Sequence, residues 1–207
     1  MNDINFSAED IKTIIKHEAD AILNIPVTHN FFAAIDLIYN CVHLKKGKLV
    51  ASGSGKAGQI ALNIATTFSS TGTPSVFLHP ADAQHGDLGI ICENDILLVI
   101  SNSGKTREII ELIELTQKFY SSIPCILITG NPNSPIANMS NIVLSTGNPK
   151  EVCPLGLTPT TSTTTMTVIG DILVVMMMKK IDFTPEEYAK RHHGGYLGDK
   201  SRKMIKY

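Results

Sequence analysis

Ile96-Leu97-Leu98-Val99-Ile100-Ser101-Asn102-Ser103-Gly104-Lys105-Thr106 reads as a buried strand that stops at three hydroxyl residues gathered around a glycine. Residues 107–119 then carry apolar side chains at helical spacing, so the unit is strand, loop, helix. The same alternation recurs outward from it. Short apolar runs at 49–52, 75–78, 125–129 and 142–144 each end in Gly, Ser, Pro or Asn, and a helical pattern fills 59–68. Strands alternating with helices predict an α/β fold, a three-layer α-β-α sandwich around a mostly parallel five-stranded sheet.

Two helices precede the first strand. Ser7 and Asp10 form a candidate capping box before apolar residues at 11, 14, 15, 19 and 22, and a second helix runs over about 28–43. A Thr/Ser segment at 158–165 leads into a helix ending near Lys179, and a last short helix starts near Pro185. The whole chain, 1–207, reads as a single domain, with N-terminal helices over 7–45, a sheet core over 48–146 and a C-terminal loop and helices over 147–207.

Composition narrows the function classes. Hydrophobic residues make up 43% and charged residues 18%, a soluble globular balance. The net charge of -1 supplies no field toward nucleic acid or an anionic membrane, so neither is an expected partner. The basic groups Lys45, Lys46, Lys48 and Lys200, Arg202, Lys203 read as solvated surface. Cys41, Cys92, Cys125 and Cys153 are scattered and form neither a zinc knuckle nor a disulfide framework; three sit in apolar contexts and read as core. Reduced thiols and an N-terminus without signal-peptide shape point to the cytoplasm. The apolar stretch 168–178 is broken by Asp171 and is read as too short to span a bilayer.

Ligands of such sheets bind where strands end and helices begin, and three loops there carry unusual residues. Ser52-Gly53-Ser54-Gly55-Lys56-Ala57-Gly58 matches G-x-G-x-x-G, a pattern open to a nicotinamide reading as well as to a plain tight turn. Two preceding helices and the lack of an acidic residue closing the second strand weaken the first. Val50 and Ala57 rule out an ATP-type P-loop. Lys56 suits an anionic ligand. In the second loop, Ser101, Ser103 and Thr106 surround Gly104 at a helix start, a neutral cage for a phosphate dianion where a simple N-cap needs one hydroxyl. The third, Thr146-Gly147-Asn148-Pro149-Lys150-Glu151-Val152-Cys153-Pro154-Leu155-Gly156, carries Glu151 among apolar residues. Partial burial there would raise its pKa toward a general base's range; an exposed loop glutamate is the alternative.

At these loops the sequence resembles the sugar isomerase (SIS) domain family, whose phosphate loop reads S-x-S-G-x-T, as residues 101–106 do. The resemblance sharpens to the arabinose 5-phosphate isomerases. It rests on Gly53-Ser54-Gly55-Lys56-Ala57-Gly58, Thr66-Thr67-Phe68-Ser69-Ser70-Thr71-Gly72-Thr73-Pro74, His79-Pro80-Ala81-Asp82-Ala83-Gln84-His85-Gly86-Asp87-Leu88-Gly89, Cys153-Pro154-Leu155-Gly156-Leu157-Thr158-Pro159-Thr160 and Gly194-Gly195-Tyr196-Leu197-Gly198. It implies the SIS fold, flavodoxin-like, in the single-domain form without the paired CBS modules that many members carry. Two departures stand out. Arg191-His192-His193-Gly194-Gly195 replaces the usual Ser-His-Pro-Gly-Gly, leaving His193 as a second candidate imidazole, and Lys105 replaces a usual Glu.

The resemblance implies interconversion of D-ribulose 5-phosphate and D-arabinose 5-phosphate through an enediol, supplying 3-deoxy-D-manno-octulosonate (Kdo) for lipopolysaccharide or capsule. It implies a homotetramer with sites lined by more than one subunit, and no cofactor or required metal. The implied catalytic positions are Lys56, Glu108, Glu151 and His192. Substrate contacts fall to Ser52, Gly53, Ser54, Ser101, Asn102, Ser103 and Thr106, with His85 on a hydroxyl; His85 and His192 would capture zinc only adventitiously. The activated product CMP-Kdo, which carries a phosphate and a carboxylate, is an expected feedback inhibitor. The competing classes are another SIS sugar-phosphate isomerase and a non-catalytic SIS module that senses a sugar phosphate.

Overall fold

The computed structural model describes residues 7–205. The reading of residues 1–6 as lacking a leader's shape lies outside them, as do the last two residues of the domain. Helix α1 (Ala8–Leu23) starts at the expected capping box: Ser7 Oγ accepts from Asp10 N at 3.2 Å, and Ser7 N donates back to Asp10 Oδ2 at 2.8 Å. Helix α2 (His29–Ile38) ends earlier than expected. The chain continues through Tyr39–Leu44 in wider π-helical winding, with the Tyr39 and His43 rings stacked at 5.6 Å.

The core follows in order: β1 (Leu49–Gly53), α3 (Lys56–Ser70), β2 (Ser75–Phe77), the short α4 (Pro80–Ala83), β3 (Ile96–Ile100), α5 (Arg107–Phe119), β4 (Cys125–Thr129), α6 (Pro135–Met139) and β5 (Ile142–Ser145). Every pairing in the sheet is parallel, and the strand order is β2-β1-β3-β4-β5. The aliphatic runs are unbroken because both faces are covered. Leu49, Ala51, Leu98, Ile100, Ile126 and Ile128 face one cluster with α2 and α3 residues such as Ile38, Ile64 and Phe68. Val50, Leu97, Val99 and Leu127 face the other, against Ile109, Leu112 and Ile113 of α5. Each fully buried Leu or Ile contributes roughly 1.5–3 kcal/mol, so the sheet is the stable frame on which the loops are mounted.

Helix α7 (Thr161–Lys180) packs beside α3, so closely that a Cβ on Gly170 would lie 2.4 Å from Ile64 Cδ1. At 20 residues it is longer than the 168–178 stretch read from the sequence, and long and apolar enough to cross a bilayer by length and composition; half of its most apolar stretch is instead buried in the protein. Helices α8 (Pro185–Arg191) and α9 (Gly195–Met204) follow. Helix α9 has no counterpart in the sequence pattern, because Gly194, Gly195 and Gly198 lower its helix propensity. Gly198 is there for space: a Cβ would sit 2.4 Å from the His192 carbonyl oxygen. This helical pair docks through Phe183, whose ring fills the space beside Gly72 at the end of α3. It therefore lies at the amino ends of the strands, opposite the loops at their carboxyl ends. Cys41 and Cys125 are buried as expected, but Cys92 is exposed, in the bend where its N–H donates to Asp95 Oδ2 at 2.8 Å.

Candidate active site

Strand β3 delivers Ser101 to the carboxyl edge of the sheet, where its N–H still pairs with Ile128 O at 3.1 Å. The loop then folds on itself. Ser101 Oγ lies 2.7 Å from Thr106 Oγ1 and accepts from Gly104 N at 3.1 Å, while Ser103 Oγ accepts from Lys105 N at 3.2 Å. Gly104 holds a left-handed φ of +63° and packs against Ser134, so no side chain fits there. Thr106 precedes α5 but makes no capping bond to it. The first amides of α5 thus keep their donors for an anion at the positive end of the helix.

The three expected loops converge on one cleft of about 580 Å³. The first contributes Ser54 and Lys56, the second Ser101, Asn102, Ser103 and Thr106, and the third Asn148. Ala57 and Pro159 line it as well, and Gly130 and Asn131 after β4, with Ser162, Thr163 and Met166 at the start of α7, complete it. These last five and Asn148 escaped the sequence reading. The first two sit in a fourth strand-end loop that carried no charged or hydroxyl-rich pattern. Ser52 and Gly53 do not line the cleft. Ser52 is buried with no hydrogen-bond partner for its hydroxyl, and Gly53 packs on the α3 backbone, 2.7 Å from its notional Cβ to Ala57 O. The glycines at 53 and 58 thereby serve the strand-to-helix turn itself.

Glu151 stands behind the cleft wall. Its Oε2 accepts from Thr160 N at 2.7 Å, Thr160 Oγ1 at 2.9 Å and Ser162 N at 3.2 Å. Burial pushes its pKa up, but these bonds outweigh burial and hold the carboxyl below its ordinary value. The expected upward shift is therefore corrected: Glu151 is an ionised cap on the N-terminus of α7. Helix α1 fixes the same segment, with His17 Nε2 2.8 Å from Lys150 O and Glu18 Oε1 accepting from Thr161 Oγ1 at 2.8 Å. Nothing local in the sequence marks His17 or Glu18, since their partners lie 133 and 143 residues away.

The other expected residues are spread more widely. Glu108 is exposed in the first turn of α5, just outside the cleft lining. His85 is exposed in the loop after α4, beside a separate depression at the β2 edge. That loop is tied to α5 by Gln84 Nε2, which donates to Glu111 Oε2 at 2.5 Å. His192 caps α8, stacked on Tyr188 at 3.8 Å with its Nδ1 3.0 Å from Tyr188 O. His193 is exposed, and Arg202 donates to its carbonyl at 3.3 Å. His192 stacks on Tyr188, which shares a pocket with Met178 in the last turns of α7, whereas Glu151 caps the other end of that helix, whose 20 residues span about 30 Å. Among the described residues no three or more His, Cys, Asp or Glu side chains gather as metal ligands.

The family model of the SIS domain matches residues 44–176, and the chain belongs to that family. Within it the chain is similar to arabinose 5-phosphate isomerase KdsD. It is 44% identical to the Shigella flexneri protein over 90% of this chain and 55% of that one, and 46% identical to the Pseudomonas aeruginosa protein over 74% and 46%. The chain thus spans about half the length of these relatives. Two solved structures resemble it over nearly their whole length. A Bacteroides fragilis protein, described as a phosphosugar isomerase involved in capsule formation, is 65% identical with a TM-score of 0.90, covering 91% of this chain and 98% of its own. An Escherichia coli CFT073 protein, solved in complex with arabinose 5-phosphate, is 32% identical with a TM-score of 0.80, covering 90% and 100%.

Proposed function

We propose that this SIS domain is a cytoplasmic aldose–ketose isomerase that interconverts D-ribulose 5-phosphate and D-arabinose 5-phosphate. The observation that carries the reading is the 101–106 loop, a neutral cradle of hydroxyls and helix-start amides, opening into the same cleft as Lys56. The similarity to KdsD and to a protein solved with arabinose 5-phosphate supports the choice of pentose phosphate. Ser101, Ser103 and Thr106 hold the phosphate, which does not react, and so fix the carbon chain. Lys56 stabilises negative charge on the substrate oxygens. Glu151 and His192 move the protons between C1 and C2 and the oxygens, with Glu108 assisting and His85 on a hydroxyl. General acid–base groups of this kind contribute about 10²–10⁴-fold each.

In this reading His192, held beside the last turns of α7 and away from Glu151 at its start, acts in the cleft of another copy of the chain. A homotetramer with shared sites accommodates this, and exposed Ile11, Ile14, Ile15, Leu155 and Leu157 supply apolar surface for it. In this reading the product feeds Kdo for lipopolysaccharide or capsule, and CMP-Kdo competes in the same cleft. A coupled assay with ribulose 5-phosphate and no added cofactor tests the proposal; absence of turnover defeats it. A second reading, a SIS module that binds sugar phosphate without turning it over, draws on one observation: Glu151 commits Oε2 to capping α7. Binding of arabinose 5-phosphate without isomerisation, in the assembled oligomer, would select it.

A further inference from the structure

The cleft has two chemically different walls. The 101–106 loop offers hydroxyls and amide N–H groups, the donors that a phosphate needs. The rim beside it is built of side-chain amides: Asn102, Asn131 and Asn148, with Gly130 between them. Asn131 is committed to the loops, donating through Nδ2 to Ser103 O at 3.2 Å and accepting through Oδ1 from Asn133 N at 3.3 Å. Asn102 and Asn148 are held by their backbones instead. The Asn102 carbonyl accepts from Gly130 N at 3.1 Å and from Thr129 Oγ1 at 3.2 Å. Asn148 N donates to Thr146 Oγ1 at 3.3 Å, with a left-handed φ of +52°. That conformation is costly for a residue with a Cβ and is kept mostly at functional sites, though Asn tolerates it better than most. Among the described residues, neither side-chain amide has a protein partner.

Gly130 explains how the two amides meet. A Cβ there would lie 2.5 Å from Asn102 Oδ1 and 3.0 Å from Asn148 Oδ1. Its φ is not in the left-handed region, so what the position demands is space and not backbone freedom. Each amide offers one acceptor and two donor hydrogens. A sugar hydroxyl both donates and accepts and matches such a pair; a phosphate dianion only accepts.

We propose that Asn148 and Asn102, brought together over the bare Cα of Gly130, read the hydroxyls of the bound sugar chain and set which pentose phosphates the cleft accepts. This rests on the sugar-phosphate reading of the cleft. The test is calorimetric binding of arabinitol 5-phosphate, ribitol 5-phosphate and inorganic phosphate to the wild-type chain, Asn148→Ala and Gly130→Ala. The two pentitol phosphates differ in one hydroxyl configuration and have no carbonyl, so they are not consumed. The wild type binds arabinitol 5-phosphate more tightly than ribitol 5-phosphate. Each variant narrows that preference by about 3- to 10-fold, the loss of one or two neutral hydrogen bonds, and leaves phosphate binding within about 2-fold. An unchanged preference in Asn148→Ala, or an equal loss for all three ligands, overturns the proposal. If the wild type bound these ligands with that preference but did not turn over ribulose 5-phosphate, the isomerase reading alone would fall.

Discussion

Glu151 and Thr160 close the 151–160 loop on itself: Oε2 of the glutamate accepts from both the N–H and the hydroxyl of the threonine, at 2.7 and 2.9 Å. The carboxylate thereby takes the anion position at the start of a 20-residue helix, and the helix holds it ionised.

Glu151→Gln removes that charge from the helix end. Stability at pH 7 should fall by about 1 kcal/mol, the usual value of a cap. Because the folded pKa is depressed, the wild-type advantage is full above the ordinary value of 4.5 and disappears as pH falls through the lower folded pKa. Urea unfolding of both proteins across pH 2–7 reads this directly. A gap that widens toward acid would contradict the capping assignment. The same variant should lose kcat by orders of magnitude while still binding phosphate.

Ser103→Ala should raise KM for the sugar phosphate more than it lowers kcat. In the proposed reading the hydroxyl contacts a phosphate that does not react, so its contribution is mostly uniform binding. The loss in kcat/KM corresponds to roughly 1.5–3 kcal/mol, typical for a hydrogen bond to a charged partner. Unchanged kcat/KM would move the phosphate elsewhere.

His192→Asn should be as damaging as Glu151→Gln, and His193→Asn much less so. If His192 serves a neighbouring subunit's cleft, mixing the two inactive variants and letting subunits exchange restores activity. Random pairing in a two-partner site gives about one quarter of the wild-type rate. No recovery after verified exchange would confine each site to one chain.

Cys153 should alkylate near neutral pH. Its Sγ accepts from Thr158 N at 3.1 Å and Leu157 N at 3.2 Å, and the thiol is pulled down to about 7, chiefly by the Thr158 amide. The rate with iodoacetamide should rise through a midpoint near 7. Cys125, buried and pushed up to about 12, should remain unmodified. Mass mapping of the adducts checks both.

Prolonged EDTA treatment should leave activity intact, since every step assigned above uses side chains. Added zinc should inhibit by occupying His85 or His192. Loss on chelation that a divalent ion restores would contradict the assignment.

The layer order and the hydroxyl-rich 101–106 loop were legible in the chain itself. Runs such as 96–100 and 125–129 are apolar at every position, and only a strand covered on both faces needs that. The clustering of Ser101, Ser103, Gly104 and Thr106 is local, so spacing alone revealed it. Lys56 was legible for the same reason.

Other features depend on residues far apart in sequence. No local pattern says that Oε2 of Glu151 meets the α7 amides, and this reverses the direction of its pKa shift. Nor does any pattern say that His17 reaches Lys150 or that Asn102 and Asn148 share the space above Gly130. The sequence by itself determined the sheet, its covered faces and the hydroxyl-lined 101–106 loop, because period and turn chemistry are written in neighbouring residues. Tertiary structure alone decided that α8, carrying His192, stays beside the last turns of α7 and does not fold back to Glu151. That docking comes from the packing of α7 along α3 and of Phe183 against Gly72, contacts between segments about 100 residues apart.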